Sequence, residues 1–343
     1  MVRAWFPALV MAGGILAAQS QDPFAFYAPS LDLTARDREQ LEAGDAIVKM
    51  LPYGERELAI FSAVQTDVTG DRLAGWVRSI EELKRSPSVP AIGRFSEPPR
   101  LQDLDGMVLE REDLDALHDC RPGSCDVKLS GREIEDLQRA IQTGGTSWEE
   151  SAQQTFRKLM LTRVETYRSG GLDALDPYHD QDEPTPLAPE FDALLASSPY
   201  LERRAPALTS YLRGYPRPED EDIESFLYWS KEALGGKPVI SLSHVTISRP
   251  AEEGAPEVLV ASRQFYATHY LTGSLALTAI AGGDAGRPRF LVYVNRSRID
   301  VLGGFFGGLA RRIIERRLRS EATGVVEDLR RRLESRAAPA TRD

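Results

Sequence analysis

Apolar and polar residues alternate most clearly early in the chain. The run ELAIFSAVQTDV (57–68) is rich in β-branched residues and places Leu58, Ile60 and Val64 on one face, which predicts a strand. Over 71–84, apolar side chains recur every three or four positions, which is typical of a helix with one buried stripe. The folded part of the chain is therefore predicted to begin with a strand and a helix.

Helix starts are marked by Ser or Thr followed three positions later by an acidic residue. This spacing lets a hydroxyl and a carboxylate satisfy opposite backbone N–H groups at the first turn. It occurs at Thr34 with Asp37, at Ser130 with Glu133 and at Ser147 with Glu150. Behind the last pair, a continuous apolar stripe predicts a helix over 148–168.

Proline and glycine punctuate the rest of the middle region. Four prolines predict an extended connection over 86–110. One more helix is predicted to start at Ser198-Pro199 and to carry its apolar stripe as far as Leu212. Another is predicted over 223–234, ending at the glycine pair that follows. We expect a large, mainly helical segment at about 110–235.

Strand patterns return after this segment, and the chain then ends on a long helix. The strand-like runs are separated by Gly, Pro and Glu turns, which predicts an antiparallel meander. They cover 239–248, 257–271, 273–281 and 289–296. From Gly303 to Arg336, apolar residues recur at three- and four-residue steps, which predicts the closing helix.

Composition limits the class of protein. The 343 residues are 42% hydrophobic and carry a formal net charge of −10, which fits a globular protein and argues against wholesale disorder. We expect no nucleic-acid partner, because nonspecific nucleic-acid binding depends on an excess of Lys and Arg. The sequence pattern does not favour a cofactor or a metal site.

The N-terminus has the pattern of a secretory signal peptide over 1–20. Arg3 is followed by an apolar stretch and by the small-residue cleavage pattern Ala18-Gln19-Ser20. We therefore expect a periplasmic or secreted protein, with a lead and short helix over 21–54. A main domain over 55–336 and a disordered tail over 337–343 complete the predicted organisation.

The two cysteines enclose a turn-forming sequence, Arg-Pro-Gly-Ser. In an exported chain, Cys120 and Cys125 are predicted to form a disulfide. A metal site formed by these cysteines with His118 is the alternative. It lacks a fourth ligand and the usual shorter cysteine spacing.

The order of strand (57–68), helix (71–84), strand meander (239–296) and C-terminal helix (303–335) resembles the START-like, or helix-grip, superfamily. The resemblance implies an α+β fold in which an antiparallel sheet wraps a long C-terminal helix, here with a large helical insertion. The turn from Tyr293 into the Gly303–Gly308 segment looks like the strand-to-helix passage of such domains. A separate helical unit beside a β-meander unit is the competing arrangement.

The resemblance implies an apolar cavity between sheet and helix that binds an apolar or lipid-like molecule without catalysis. Strand alternation offers polar groups for this cavity, and the start of the helix offers apolar ones. The candidate ligand-binding residues are Arg263, Tyr266, His269, Phe305, Phe306 and Leu309. One alternative is a cyclase- or hydrolase-like enzyme with His244 or His269 as the base. Another is an envelope protein with a filled core and no small ligand.

The C-terminal helix is rich in arginine. One interpretation is a solvated outer face paired with acidic loops, and another is an acidic partner. A third is contact with a membrane surface, because apolar and basic residues alternate in an amphipathic pattern. The residues of that contact would be Arg311, Arg312, Arg316 and Arg317.

Overall fold

The structure, a computed structural model, describes residues 22–216, 223–234, 236–283, 286–303 and 307–335. The predicted signal peptide and the predicted tail lie outside this part, as do Phe305 and Phe306. Among the described helices, none combines the length and the apolarity that are needed to cross a bilayer.

Eight strands form one antiparallel sheet in the order β1-β2-β8-β7-β6-β5-β4-β3. The strands are β1 (Ile47–Met50), β2 (Glu57–Thr66), β3 (Ala91–Arg94), β4 (Glu224–Leu234), β5 (Lys237–Ser248), β6 (Val258–Ala267), β7 (Leu271–Gly282) and β8 (Arg289–Ile299). The last four confirm the predicted meander. The short edge strands β1 and β3 lack a strand-like sequence pattern and were not predicted.

The described helices lie before, between and after these strands. They are α1 (Ala35–Glu42), α2 (Gly70–Arg78), α3 (Ile80–Lys84), α4 (Arg111–Leu117), α5 (Gly131–Gly144), α6 (Trp148–Gly170), α7 (Leu187–Ala196), α8 (Pro199–Arg204), α9 (Pro206–Gly214) and α10 (Gly307–Ser335). The insertion between β3 and β4 carries α4 to α9. This α+β architecture, with a sheet, a helical insertion and a long C-terminal helix, is the predicted fold class and is compatible with a helix-grip fold.

The prediction of a helix over 223–234 is wrong, because this segment is strand β4. Its apolar residues face both ways: Leu227 and Trp229 pack on one side of the sheet, and Tyr228 packs on the other. A run that is apolar on both sides has no clear period, so the sequence pattern does not separate strand from helix. Pairing with β5 along the whole length of β4 determines the outcome.

Three predicted helix features differ in detail from the structure. The helix over 71–84 breaks at Ser79, whose ψ of 51° leaves the helical region. The helix that starts at Pro199 breaks before Pro206, because a proline disfavours helical geometry in the residue that precedes it. Ser147 does not cap α6 with its side chain. The boxes at Thr34 and Ser130 are formed as predicted.

Both faces of the sheet carry helices, but they are covered unequally. The closed face presents residues such as Leu242, Phe265 and Val292, and it is packed by the N-terminal lead and by the helical insertion. The open face presents residues such as Val260 and Leu291, and it is packed by α2, α3 and the C-terminal half of α10. The insertion therefore shares a core with the sheet.

Helix α10 lies along β2, near one edge of the open face. Arg311 donates a hydrogen bond to the carbonyl oxygen of Glu57 at the start of β2, and Thr66 at its end donates one to the carboxylate of Glu334. A helix spans about 34 Å between positions 311 and 334, and a ten-residue strand spans about 30 Å. The two elements therefore run side by side for the full length of β2.

Candidate functional site

The open face is covered only in part. Helix α10 contacts β1 and β2 at one side of the face, whereas α3 contacts β3 at the other. Helix α2 covers the middle strands at one end, where Val260, Ile280 and Leu291 are fully buried. Beyond α2, several open-face side chains are half-buried, although their neighbours on the closed face are fully buried. We call this depression the trough. Its half-buried floor residues are Ser262, Gln264, Ala276, Thr278, Tyr293, Asn295 and Ser297.

The hydroxyl of Tyr293 is affected by charges from the other side of the trough. Strands β8 and β4 are four strand spacings apart, which is about 19 Å in a flat sheet. Burial raises the pKa of Tyr293 on β8, and the charged groups of Lys84 and Glu232 act on the same hydroxyl. Groups that are distant along the sheet therefore share one electrostatic environment.

An ion pair lies at the α3 side of the trough. The ammonium group of Lys84 donates to the carboxylate of Glu232 at 2.5 Å and to the hydroxyl of Tyr228 at 3.2 Å. Burial opposes the charge of Lys84, but Tyr228 and Glu232 outweigh it and hold the pKa of Lys84 above its usual value. Burial likewise opposes the charge of Glu232, but Lys84 and Ser230 lower the pKa of this carboxyl group. Both side chains are charged at neutral pH.

Hydroxyl and amide groups cover the floor toward α10. Asn295 donates to the hydroxyl oxygen of Ser274 at 3.2 Å and accepts from Ser297 at 2.7 Å. The carbonyl oxygen of the Gln264 side chain is buried and has no hydrogen-bond donor within the described ranges. The floor therefore offers polar groups and one unused acceptor.

Helix α10 supplies an apolar wall. Arg332 donates to the carbonyl oxygens of Leu83 and Arg85, so position 332 faces α3 across the trough. Because 3.6 residues make one turn, Val325, Leu318 and Ile314 share that face of the helix. Val325 is 59% exposed, and the other two are half-buried. A polar floor beside an apolar wall suits a molecule that is itself amphipathic.

The four predicted ligand-binding residues that lie in the described ranges do not meet in the trough. Arg263, Tyr266 and His269 are buried on the closed face. Leu309 lies on α10, which packs on the open face, and it is 61% exposed. The sheet separates these two groups. The assignment of these residues to one cavity therefore receives no geometric support.

His244 and His269 belong to separate networks on the closed face. The Nδ1 atom of His244 lies 2.8 Å from the hydroxyl of Tyr167, and its Nε2 atom lies 3.2 Å from the hydroxyl of Tyr211. Burial, and then the positive charge of Arg263, hold the pKa of His244 well below its usual value. Tyr167 and Arg263 also hydrogen-bond to each other. Both ring nitrogens of His244 are engaged.

His269 contacts a carboxylate that sequence reasoning missed. Its Nε2 atom lies 3.0 Å from the carboxylate of Asp113 on α4, and its Nδ1 atom lies 3.1 Å from the carbonyl oxygen of Asp126. Asp113 is 156 positions away along the chain, so no local spacing could reveal this contact.

The disulfide between Cys120 and Cys125 is present, as predicted. Its loop is attached to the neighbouring loop, because the N–H groups of Gly123 and Cys125 donate to the carbonyl oxygens of His179 and Asp180. The bond occupies both thiols of the alternative metal site. Within the described ranges, no cluster of His, Cys, Asp and Glu is suited to a metal ion.

Sequence reasoning also missed the trough residues Lys84, Tyr228 and Glu232. One sequence signal could have revealed the trough floor. Polar residues occupy alternate positions along β8, so Tyr293, Asn295 and Ser297 lie on the same face of the sheet. Comparison with known proteins adds no further assignment. No protein-family model, curated protein or solved structure matches this chain.

Proposed function

We propose that the protein is an exported, non-catalytic carrier or receptor for an amphipathic, lipid-like molecule that binds in the trough. The observation that carries this proposal is the half-buried polar floor on the open face, flanked by the apolar wall of Ile314, Leu318 and Val325. Binding sites for small molecules combine apolar lining with a few fixed polar groups. The disulfide supports export, since such bonds persist in oxidising compartments.

The polar groups suggest how the ligand is oriented. Lys84 and Glu232 are each about a quarter exposed, so they can contact the ligand without being withdrawn from the fold. The polar end of the ligand lies on these groups and on the serine and asparagine side chains, and its hydrocarbon part lies along α10. The burial of both histidines on the closed face supports binding rather than base catalysis.

Two adjacent isoleucines provide a matched test. Ile314 faces the trough, whereas Ile313 lies on the outer side of α10 and is 61% exposed. We expect dansyl-labelled undecanoic acid to bind the wild-type protein saturably, with one molecule per chain in a fluorescence titration. Ile314→Glu should weaken binding at least about tenfold, because it places a charge against the apolar wall. Ile313→Glu should bind as the wild type does.

Failure of the wild-type protein to bind this probe would overturn the proposal. So would equal losses in the two variants, because the outer isoleucine does not face the trough. Circular dichroism melting of both variants verifies that each is folded before it is titrated.

A further inference from the structure

The first half of α10 exposes apolar side chains on the side that faces away from the trough. Leu309 and Ile313 are each 61% exposed and lie one turn apart. Tyr53 (40%) and Val301 (48%) are exposed at the same end of the molecule. Tyr53 contacts Arg311 and Glu315, and the turn that holds Val301 packs against α10. These four are more than half of the seven exposed large apolar side chains found in the described residues.

Arginines surround these apolar side chains, but not all of them are available. Arg311 is held by the carbonyl oxygens of Glu55 and Glu57 and by the ring of Tyr53. Arg317 pairs with Glu321 at 2.8 Å. These two members of the predicted basic surface therefore already have partners within the chain.

The remaining arginines of this half are Arg312, Arg316 and Arg319. All three are exposed and form no ion pair with any residue in the described ranges. The helical period places them on the same side of α10 as Leu309 and Ile313. We call these five residues the docking patch. It is a positive and apolar surface on a chain whose formal net charge is −10.

We propose that the docking patch binds the surface of an anionic lipid bilayer. Leu309 and Ile313 enter the boundary between headgroups and acyl chains, and the three arginines pair with lipid phosphates. Apolar and cationic side chains on one side of a helix match the layered chemistry of a membrane surface. The lipid phosphates match the three arginines without a partner in the described ranges, and the acyl boundary matches the two exposed aliphatic side chains.

Membrane binding by the docking patch does not depend on the ligand, but it places the bilayer beside the trough. The two sides of α10 have different tasks: Ile314 faces the trough and Ile313 faces the membrane. A molecule that leaves the bilayer therefore has a short path into the trough.

Vesicle sedimentation tests the docking patch in the purified full-length mature protein. We expect binding to vesicles of phosphatidylcholine and phosphatidylglycerol at 3:1, no binding to phosphatidylcholine alone, and release by 0.5 M sodium chloride. The double variant Arg312→Glu with Arg316→Glu should bind at least about tenfold more weakly. Ile313→Glu should also bind more weakly.

Two control variants separate this inference from the proposed function. Arg331→Glu changes an exposed arginine at the other end of α10, and Ile314→Glu changes the trough; both should bind vesicles as the wild type does. Absence of wild-type binding to the 3:1 vesicles would overturn the inference, as would equal binding to neutral vesicles. An equal loss in Arg331→Glu would overturn it as well, since only general charge would then matter. None of these outcomes changes the dansyl-undecanoate titration.

Discussion

At the scale of single residues, buried polar groups on the closed face form hydrogen bonds with one another. His244 is 1% exposed, and its neighbours Tyr167, Tyr211 and Arg263 engage it. A buried ring with both nitrogens hydrogen-bonded is costly to charge, since no water can solvate the second proton. The residue therefore connects the insertion to the sheet as a neutral hydrogen-bonding group.

This neutrality predicts a defined dependence of stability on pH. The folded protein keeps His244 unprotonated because its pKa is lowered, whereas the unfolded chain takes up the proton near pH 6.5. The stability that His244 contributes is therefore complete above pH 6.5 and is lost as the pH falls, by about 1.4 kcal/mol per pH unit. His244→Gln removes this dependence.

Urea unfolding of the wild type and of His244→Gln at pH 7, 6 and 5 measures the effect. Contributions from other groups cancel in the difference between the two proteins. The difference in unfolding free energy should shrink by about 1.4 kcal/mol from pH 6 to pH 5. Parallel curves would contradict the assignment of a neutral buried histidine.

At the scale of elements, the two sides of α10 differ in burial. Val326 and Leu333 in its second half are buried in the open-face core, whereas Leu309 in its first half is 61% exposed. The helix therefore has a side that packs on the sheet and an outer side that is free to meet a partner.

Alanine substitutions at two leucines of α10 test this division. Leu333→Ala should lower the free energy of unfolding by about 2–5 kcal/mol, because it leaves a cavity in the core. Leu309→Ala should change it by less than about 0.5 kcal/mol, because an exposed side chain loses little contact. Urea unfolding monitored by circular dichroism measures both. Similar losses at the two positions would show that the outer side of α10 is packed as well.

Elements with a single buried stripe could be predicted from the sequence, and those without one could not. Helix α6 and the meander strands have a clear period, and the structure places them within a few residues of the predicted bounds. Strand β4 is apolar on both faces, so its identity depends on β5 rather than on its own pattern. Strand β3 has only four residues and is defined by its pairing with β4.

At the scale of the whole molecule, the insertion changes which side of the sheet is available. It covers the closed face, including Arg263, Tyr266 and His269, and leaves the trough on the opposite side. The alternation of residues along each strand correctly assigns them to one face or the other, but it does not show which face the helices cover. The candidate site could therefore not be predicted from the sequence, because Lys84, Glu232 and Tyr293 belong to α3, β4 and β8, which only the tertiary fold brings to one face of the sheet.

The proposed function requires that an amphipathic molecule occupies the trough. Both native cysteines form the disulfide, so Ala276→Cys introduces one reactive thiol on the trough floor, and Ile313→Cys introduces one on the outer side of α10. The measurement is the rate at which each thiol reacts with Ellman's reagent, with and without saturating undecanoic acid. We predict that the fatty acid slows the reaction at position 276 at least about tenfold and leaves the rate at 313 unchanged. Equal rates at position 276 with and without the fatty acid would contradict the central claim.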